Sequence, residues 1–177
     1  MSELIKAIVL GIIQGLTEFI PISSTAHLRV IPALLGWKDI GAAYTAVIQI
    51  GTLIATLIYF KKDIISLTTG FLHSIKNKKY FSDPHSRIFL LIIIGTFPIG
   101  ICGLFLKKFI EGEARGLYVI SAALIVLALI LLVAEKTGRM KKDFSHITVK
   151  DGIIIGLAQA LALIPGSSRS GVTITAG

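Results

Sequence analysis

An all-α, polytopic integral membrane protein is the fold class this 177-residue sequence predicts, and three observations carry that prediction. Hydrophobic residues make up 54% and charged residues only 16%, against about 25% charged in an average soluble chain; the mean hydropathy is +0.83. Three stretches stay apolar over roughly the 20 residues that a helix needs to cross a bilayer core. Lys and Arg are concentrated in alternate connections between these stretches, as in the loops of a multi-pass protein. Together these features exclude an ordinary soluble enzyme and intrinsic disorder. With a single cysteine, Cys102, a disulfide scaffold is excluded too. A net charge of +8 would suggest nucleic acid as the partner of a soluble chain. At this hydropathy it indicates positive loops on a membrane surface, with membrane lipids as partners and no nucleic acid.

The elements follow in order. Leu4–Ile20 is apolar but interrupted by Lys6, Gln14 and Glu18, and it runs into Pro21. Ala42–Phe60, Ile88–Leu106 and Leu117–Ala134 carry no full charge and are predicted spans. Ile153–Ile164 is too short to cross and stops at Pro165, which predicts a broken or re-entrant helix. The loop Lys61–Arg87 holds Lys61, Lys62, Lys76, Lys78, Lys79 and Arg87, and is expected to contain short interfacial structure. The loop Glu135–Gly152 holds Lys136, Arg139, Lys141, Lys142 and Lys150. Lys107–Gly116 offsets its three positive charges with Glu111 and Glu113. This alternation places the first two loops inside and the third outside, together with the segment before Ala42. His73, His85 and His146 then fall in inside loops as solvated surface residues.

The two interrupted stretches resemble each other. G-I-I-Q-G-L-T-E-F-I-P-I-S-S-T starts at Gly11, and G-L-A-Q-A-L-A-L-I-P-G-S-S-R-S at Gly156. Gln14 matches Gln159, and Pro21 matches Pro165 after a one-residue gap. Short, Pro-interrupted segments at corresponding places in two halves point to a binding site at a repeat interface. The expected organisation is a single membrane domain over 1–177, with a first inverted-topology repeat over about 1–134 and the start of a second over about 152–177.

Two constellations carry chemistry. In the first, Gln14 and Glu18 share a helix face through their four-residue spacing. A carboxylate at membrane depth is costly and marks a functional site by default. Pro21 breaks the helix, and Ser23, Ser24, Thr25 and His27 follow. These hydroxyls either line a polar cavity or serve as a plain N-cap. In the second, Arg169 lies among Pro165, Gly166, Ser167, Ser168, Ser170, Gly171 and Thr173. Its planar guanidinium suits bidentate phosphate contact, and a helix starting after Ser167 would aim amides at an anion. One carboxylate, one histidine, several hydroxyls and one arginine suit phosphoryl chemistry. Arg169 would stabilise phosphoryl charge. A serine, His27 or water would attack, with Glu18 as base or metal ligand.

Gln14–Leu28 and Pro165–Ile174 resemble the two signature motifs of the undecaprenyl-pyrophosphate phosphatase family, the bacitracin-resistance proteins. Val47–Ala55 is similar to that family's following helix. The resemblance implies an inner-membrane enzyme that converts undecaprenyl diphosphate to the monophosphate and so recycles the lipid carrier of peptidoglycan synthesis. It also implies inverted repeats with re-entrant hairpins, an active site open to the outer face, a prenyl diphosphate lipid substrate and a divalent cation, Mg or Ca. By this resemblance the catalytic set is Glu18, Ser24, His27 and Arg169, with Ser24 the favoured nucleophile and Glu18 a metal ligand. Gln14, Ser23, Thr25, Ser168, Ser170 and Thr173 then line the substrate. Family members continue with further membrane segments, so this chain is expected to be a fragment or truncation.

Three other readings compete. A transporter or prenyl-lipid flippase would use the same inverted-repeat cavity, but transport requires no nucleophile. An acid-phosphatase-like lipid phosphatase would need a second histidine after Arg169, and none follows. A structural subunit would not explain two matched polar motifs.

Overall fold

The computed structural model describes residues 3–78, 80–138 and 146–177. Among them lie eight α-helices: α1 Glu3–Thr17, α2 Ser24–Leu34, α3 Gly41–Tyr59, α4 Lys61–Lys76, α5 Pro84–Glu111, α6 Leu117–Thr137, α7 Val149–Ala160 and α8 Arg169–Ala176. Short 3-10 turns occupy Glu113–Arg115 and Leu161–Leu163, and no strand occurs among the described residues. The expected inside-loop charges Lys79, Arg139, Lys141 and Lys142 lie outside the described residues.

α3, α5 and α6 are the three helices long and apolar enough to cross a membrane. At a rise of about 1.5 Å per residue, α3 extends about 28 Å, close to the hydrocarbon thickness. α5 is longer than the predicted span at both ends. The Asp83 side chain accepts from the Ser86 amide at 2.8 Å, Pro84 opens the first turn, and the helix runs on to Gly112. Most side chains on these helices are exposed, Leu104, Phe105 and Tyr118 among them, which is how a lipid-facing surface differs from a soluble core.

Burial is not the force that draws helices together in such a surface; close backbone approach is. α7 carries Gly152 and Gly156 one turn apart, facing Leu91 and Gly95 of α5. A Cβ at Gly156 would sit 2.6 Å from the Gly95 carbonyl oxygen, and one at Gly152 3.2 Å from the Leu91 side chain. Thr148 and Asp151 form a capping box that fixes where α7 starts.

The connection Lys61–Arg87 is more ordered than the sequence suggested. Most of it is the 16-residue α4, which follows α3 after a bend at Phe60. Asp63 lies in its first turn and His73 and Lys76 in its last, the arrangement the helix dipole favours. Phe71 stacks on Phe89 of α5 at 4.6 Å between centroids. His73, His85 and His146 are exposed, as expected of loop histidines.

The broken stretches become two hairpins that enter from opposite ends of the bundle. In α1–α2, Lys6 lies 5.9 Å from the Trp37 ring centroid, so α1 starts at the end where α2 finishes and the segment is a helical hairpin. α7 begins beside Leu91, near the other end of α5. α8 then turns back along it, with Gly177 near the Ile155 side chain. The separation of Ser23 and Ser168, the N-caps of α2 and α8, equals that of Gln14 and Gln159. The prolines are one residue out of that register. The hairpin tips touch: Ser170 Oγ donates to the Ile20 carbonyl at 3.2 Å.

One ionic cluster fixes which ends lie together. Arg115, after α5, donates from Nη2 to Asp39 Oδ1 at 2.9 Å, and Arg29 Nε of α2 lies 3.5 Å from Asp39 Oδ2. The Lys107–Gly116 turn and the segment before Ala42 therefore share one face, as the charge alternation required. Partial burial pushes the Asp39 carboxyl up. The hydrogen bond from Arg115, the Gly41 amide and the two guanidinium charges outweigh it, leaving the pKa below the ordinary aspartate value.

Candidate active site

The hairpin tips bring the two motifs into one site. Gln14 is 1% exposed and Ser24 7% exposed. Gln14 Nε2 donates to Glu18 Oε2 at 2.7 Å, and Ser24 Oγ donates to the same oxygen at 2.5 Å. The first bond follows from the single helical turn between Gln14 and Glu18. The second follows from the reversal at Pro21, which folds the start of α2 back over the end of α1. A hydroxyl donating a short hydrogen bond to a carboxylate is the arrangement of a nucleophile and its base.

Ser23 adopts the N-cap reading. Its φ is +63°, and its Oγ accepts from the Ala26 amide at 3.3 Å. Ser168 does the same for α8, accepting from the Gly171 amide at 3.2 Å, with Ser170 Oγ 3.0 Å away. Gly166 makes the second tip possible. Its φ is +100°, and a Cβ there would lie 2.6 Å from the Ile120 carbonyl oxygen. The first-turn amides of α2 and α8 have no acceptor inside their own helices.

Two cavities meet at this point. The smaller, about 30 Å³, is lined by Glu18, Ser23, Ser24 and Thr25 from one motif and by Ser167, Ser168 and Arg169 from the other, with Gln49 and Ala162. The larger, about 650 Å³, has Glu18, Gln159, Arg169, Ser170 and Thr173 on its polar side and Phe19, Ile50 and Leu53 on its apolar side. An adjoining apolar cavity of about 370 Å³ continues past Phe19 and Thr56 to Tyr59 and Phe60. The whole is a polar pocket opening into an apolar channel along α3, a shape for an amphiphile with an anionic head. Arg169 forms no ion pair among the described residues, so its charge is unspent.

Of the sequence-predicted residues, Glu18, Ser23, Ser24, Thr25, Ser168, Arg169, Ser170 and Thr173 line one or both cavities. Gln14 lies behind Glu18. His27 lines neither cavity. Its Nδ1 bonds the Ser23 carbonyl at 2.9 Å; a carbonyl only accepts, so Nδ1 carries the proton and Nε2 is the acceptor of the neutral ring. Gln49 was missed. It lines both cavities, and its signal was an amide within an otherwise apolar span.

Residues 7–177 match the family model described as bacitracin resistance protein BacA. The chain belongs to the BacA family. It is 59% identical over 175 residues to an undecaprenyl-diphosphatase of Myxococcus xanthus, covering 99% of this chain and 59% of that protein. It is 57% and 55% identical over 182 residues to undecaprenyl-diphosphatases of Chlorobaculum parvum and Chlorobaculum tepidum, covering 99% of this chain and 64% of each. The chain thus spans about three-fifths of the length of these relatives. The transporter alternative finds no support in BacA membership or in these names.

Any divalent cation here has few protein donors. Among the described residues there is no group of three or more His, Cys, Asp or Glu that could hold one. Among the described residues Glu18 is the one carboxylate lining the cavities, with Ser24 Oγ and Gln49 as neutral oxygen donors nearby. This oxygen set fits a hard cation held chiefly by substrate phosphates, as Mg typically is.

Proposed function

We propose that this site hydrolyses the terminal phosphate of a prenyl diphosphate, in the cell undecaprenyl diphosphate, to give the lipid monophosphate and inorganic phosphate. The observation that carries the reading is the pairing of the Ser24 hydroxyl with the Glu18 carboxylate at 2.5 Å, on a cavity shared with the unpaired Arg169. Arg169 and the uncapped first-turn amides of α2 and α8 hold the terminal phosphoryl oxygens. Ser24 Oγ attacks the terminal phosphorus as Glu18 takes its proton. The bond to the bridging oxygen breaks, and the lipid monophosphate leaves without needing a proton. Glu18 releases that proton to solvent, then takes one from the water that attacks the phosphoserine and returns it to Ser24 Oγ as the P–O bond breaks, freeing inorganic phosphate. The isoprenoid tail lies in the apolar channel toward Tyr59. A divalent cation bound here would offset charge on the diphosphate, with Glu18 as its protein ligand.

The charge alternation supports a cytoplasmic-membrane protein with the Asp39 face outward, so that the site serves lipid diphosphate released at the outer leaflet. Returning that carrier to peptidoglycan synthesis also accounts for bacitracin resistance, since it depletes the diphosphate. Phosphate release from farnesyl diphosphate by Ser24→Ala and Glu18→Gln, with acid-quench detection of phosphoserine, tests the chemistry. Both variants are expected to lose roughly 100- to 10,000-fold in rate, with the phosphoserine detectable only where Ser24 remains. Undiminished turnover in Ser24→Ala would give the attack to water.

A further inference from the structure

Three serines surround Arg169, and the structure gives them different work. Ser168 Oγ caps α8 through the Gly171 amide. Ser170 Oγ is divided between Ser168 Oγ and the Ile20 carbonyl. Ser167, by contrast, is 7% exposed, and its Oγ is buried with no hydrogen-bond partner among the described residues. Its amide is already used, donating to the Ile164 carbonyl at 2.9 Å, so the hydroxyl is the donor it has left. It lines the small polar pocket with Glu18, Ser24 and Arg169.

A buried hydroxyl without a partner costs free energy, and such atoms are rare in folded proteins. The cost is offset if a ligand oxygen completes the bond. The pocket's other groups narrow the choice of ligand. A guanidinium and the helix-start amides that Ser23 and Ser168 leave uncapped call for an anion with several oxygens. We propose that Ser167 is a phosphate-binding residue whose Oγ–H donates to a non-bridging oxygen of the phosphoryl group held by Arg169. Ser168 Oγ, by contrast, already accepts from the Gly171 amide. The assignment rests on the phosphatase reading and adds the residue that completes its anion pocket.

The two serines are separable because their substitutions act in opposite directions without ligand. Ser167→Ala removes an unsatisfied group, so its melting temperature in detergent is expected to equal or exceed that of the wild type. Ser168→Ala loses a helix cap and is expected to melt lower. Inorganic pyrophosphate is the probe. It is expected to raise the melting temperature of the wild type and Ser168→Ala, and to do so much less for Ser167→Ala. Ser167→Ala is also expected to raise KM for farnesyl diphosphate roughly 10- to 100-fold, the worth of one hydrogen bond to a charged group. An unchanged pyrophosphate shift and KM in Ser167→Ala would overturn the assignment and leave the phosphatase reading standing. A wild type that pyrophosphate does not stabilise would overturn the anion pocket itself. Absence of phosphate release from the wild type despite a pyrophosphate shift would count against the phosphatase reading while the binding role survived.

Discussion

Ser23 and Ser24 are neighbours with separate duties, and the division is set by backbone geometry. At φ +63° Ser23 occupies the left-handed region that L side chains rarely adopt, a strain of about 1–2 kcal/mol. That turn directs Ser23 Oγ back to cap α2 and frees Ser24 Oγ for Glu18. Ser23→Gly relieves the strain and loses the side-chain cap, worth only a few tenths of a kcal/mol relative to glycine. Its melting temperature is therefore expected to stay at or above the wild-type value, whereas Ser23→Val is expected to lower it. The residue types at the site were legible in the sequence: a carboxylate, hydroxyls and an arginine in apolar surroundings. Which hydroxyl caps, which donates to Glu18 and which is unpartnered was not, because S-S-T and S-S-R-S are chemically degenerate until a helix start selects among them. Gln49 escaped for a related reason, since an amide inside a span gains meaning only from what faces it.

At the scale of elements, glycine spacing decides packing. The α7–α5 crossing depends on Gly156 meeting Gly95, and Gly156→Leu is expected to lower the melting temperature through a clash costing at least about 1–3 kcal/mol. Leu157→Ala, on an exposed position of the same helix, is expected to change it little. The Asp39 cluster adds a pH-dependent tie between α2, the segment before α3 and the end of α5. Its carboxyl pKa is lower in the folded state, so the stabilisation is present above the ordinary aspartate value of about 3.9 and is lost as pH falls through the lower folded value. Thermal melts between pH 5 and pH 3 are expected to show stability falling in the wild type, with that slope reduced in Asp39→Asn. The three spans were readable from uninterrupted apolar length, and the broken helices from Pro21 and Pro165. α4 was under-read because its charges mark a loop by composition while its spacing marks an amphipathic helix. The Gly152–Gly156 spacing was present as a close-packing signal, but only the position of α5 gives it a partner.

For the molecule as a whole, the two helical hairpins assemble a site that neither contains alone: Glu18 and Ser24 come from one, Arg169 and Ser167 from the other. Opposite entry of the hairpins is a claim about topology. In a Cys102→Ser background, a cysteine at Lys38 and one at Asn77 are expected to react with an impermeant maleimide from opposite sides of the membrane, Lys38 from outside. Labelling of both from one side would contradict the arrangement. The central claim is that the motifs act together, and phosphate release from farnesyl diphosphate in detergent with a divalent cation tests it most directly, comparing this chain with its Arg169→Ala variant. Release by the wild type that falls roughly 100- to 1,000-fold in the variant is the expected result. Equal release from the two would contradict it.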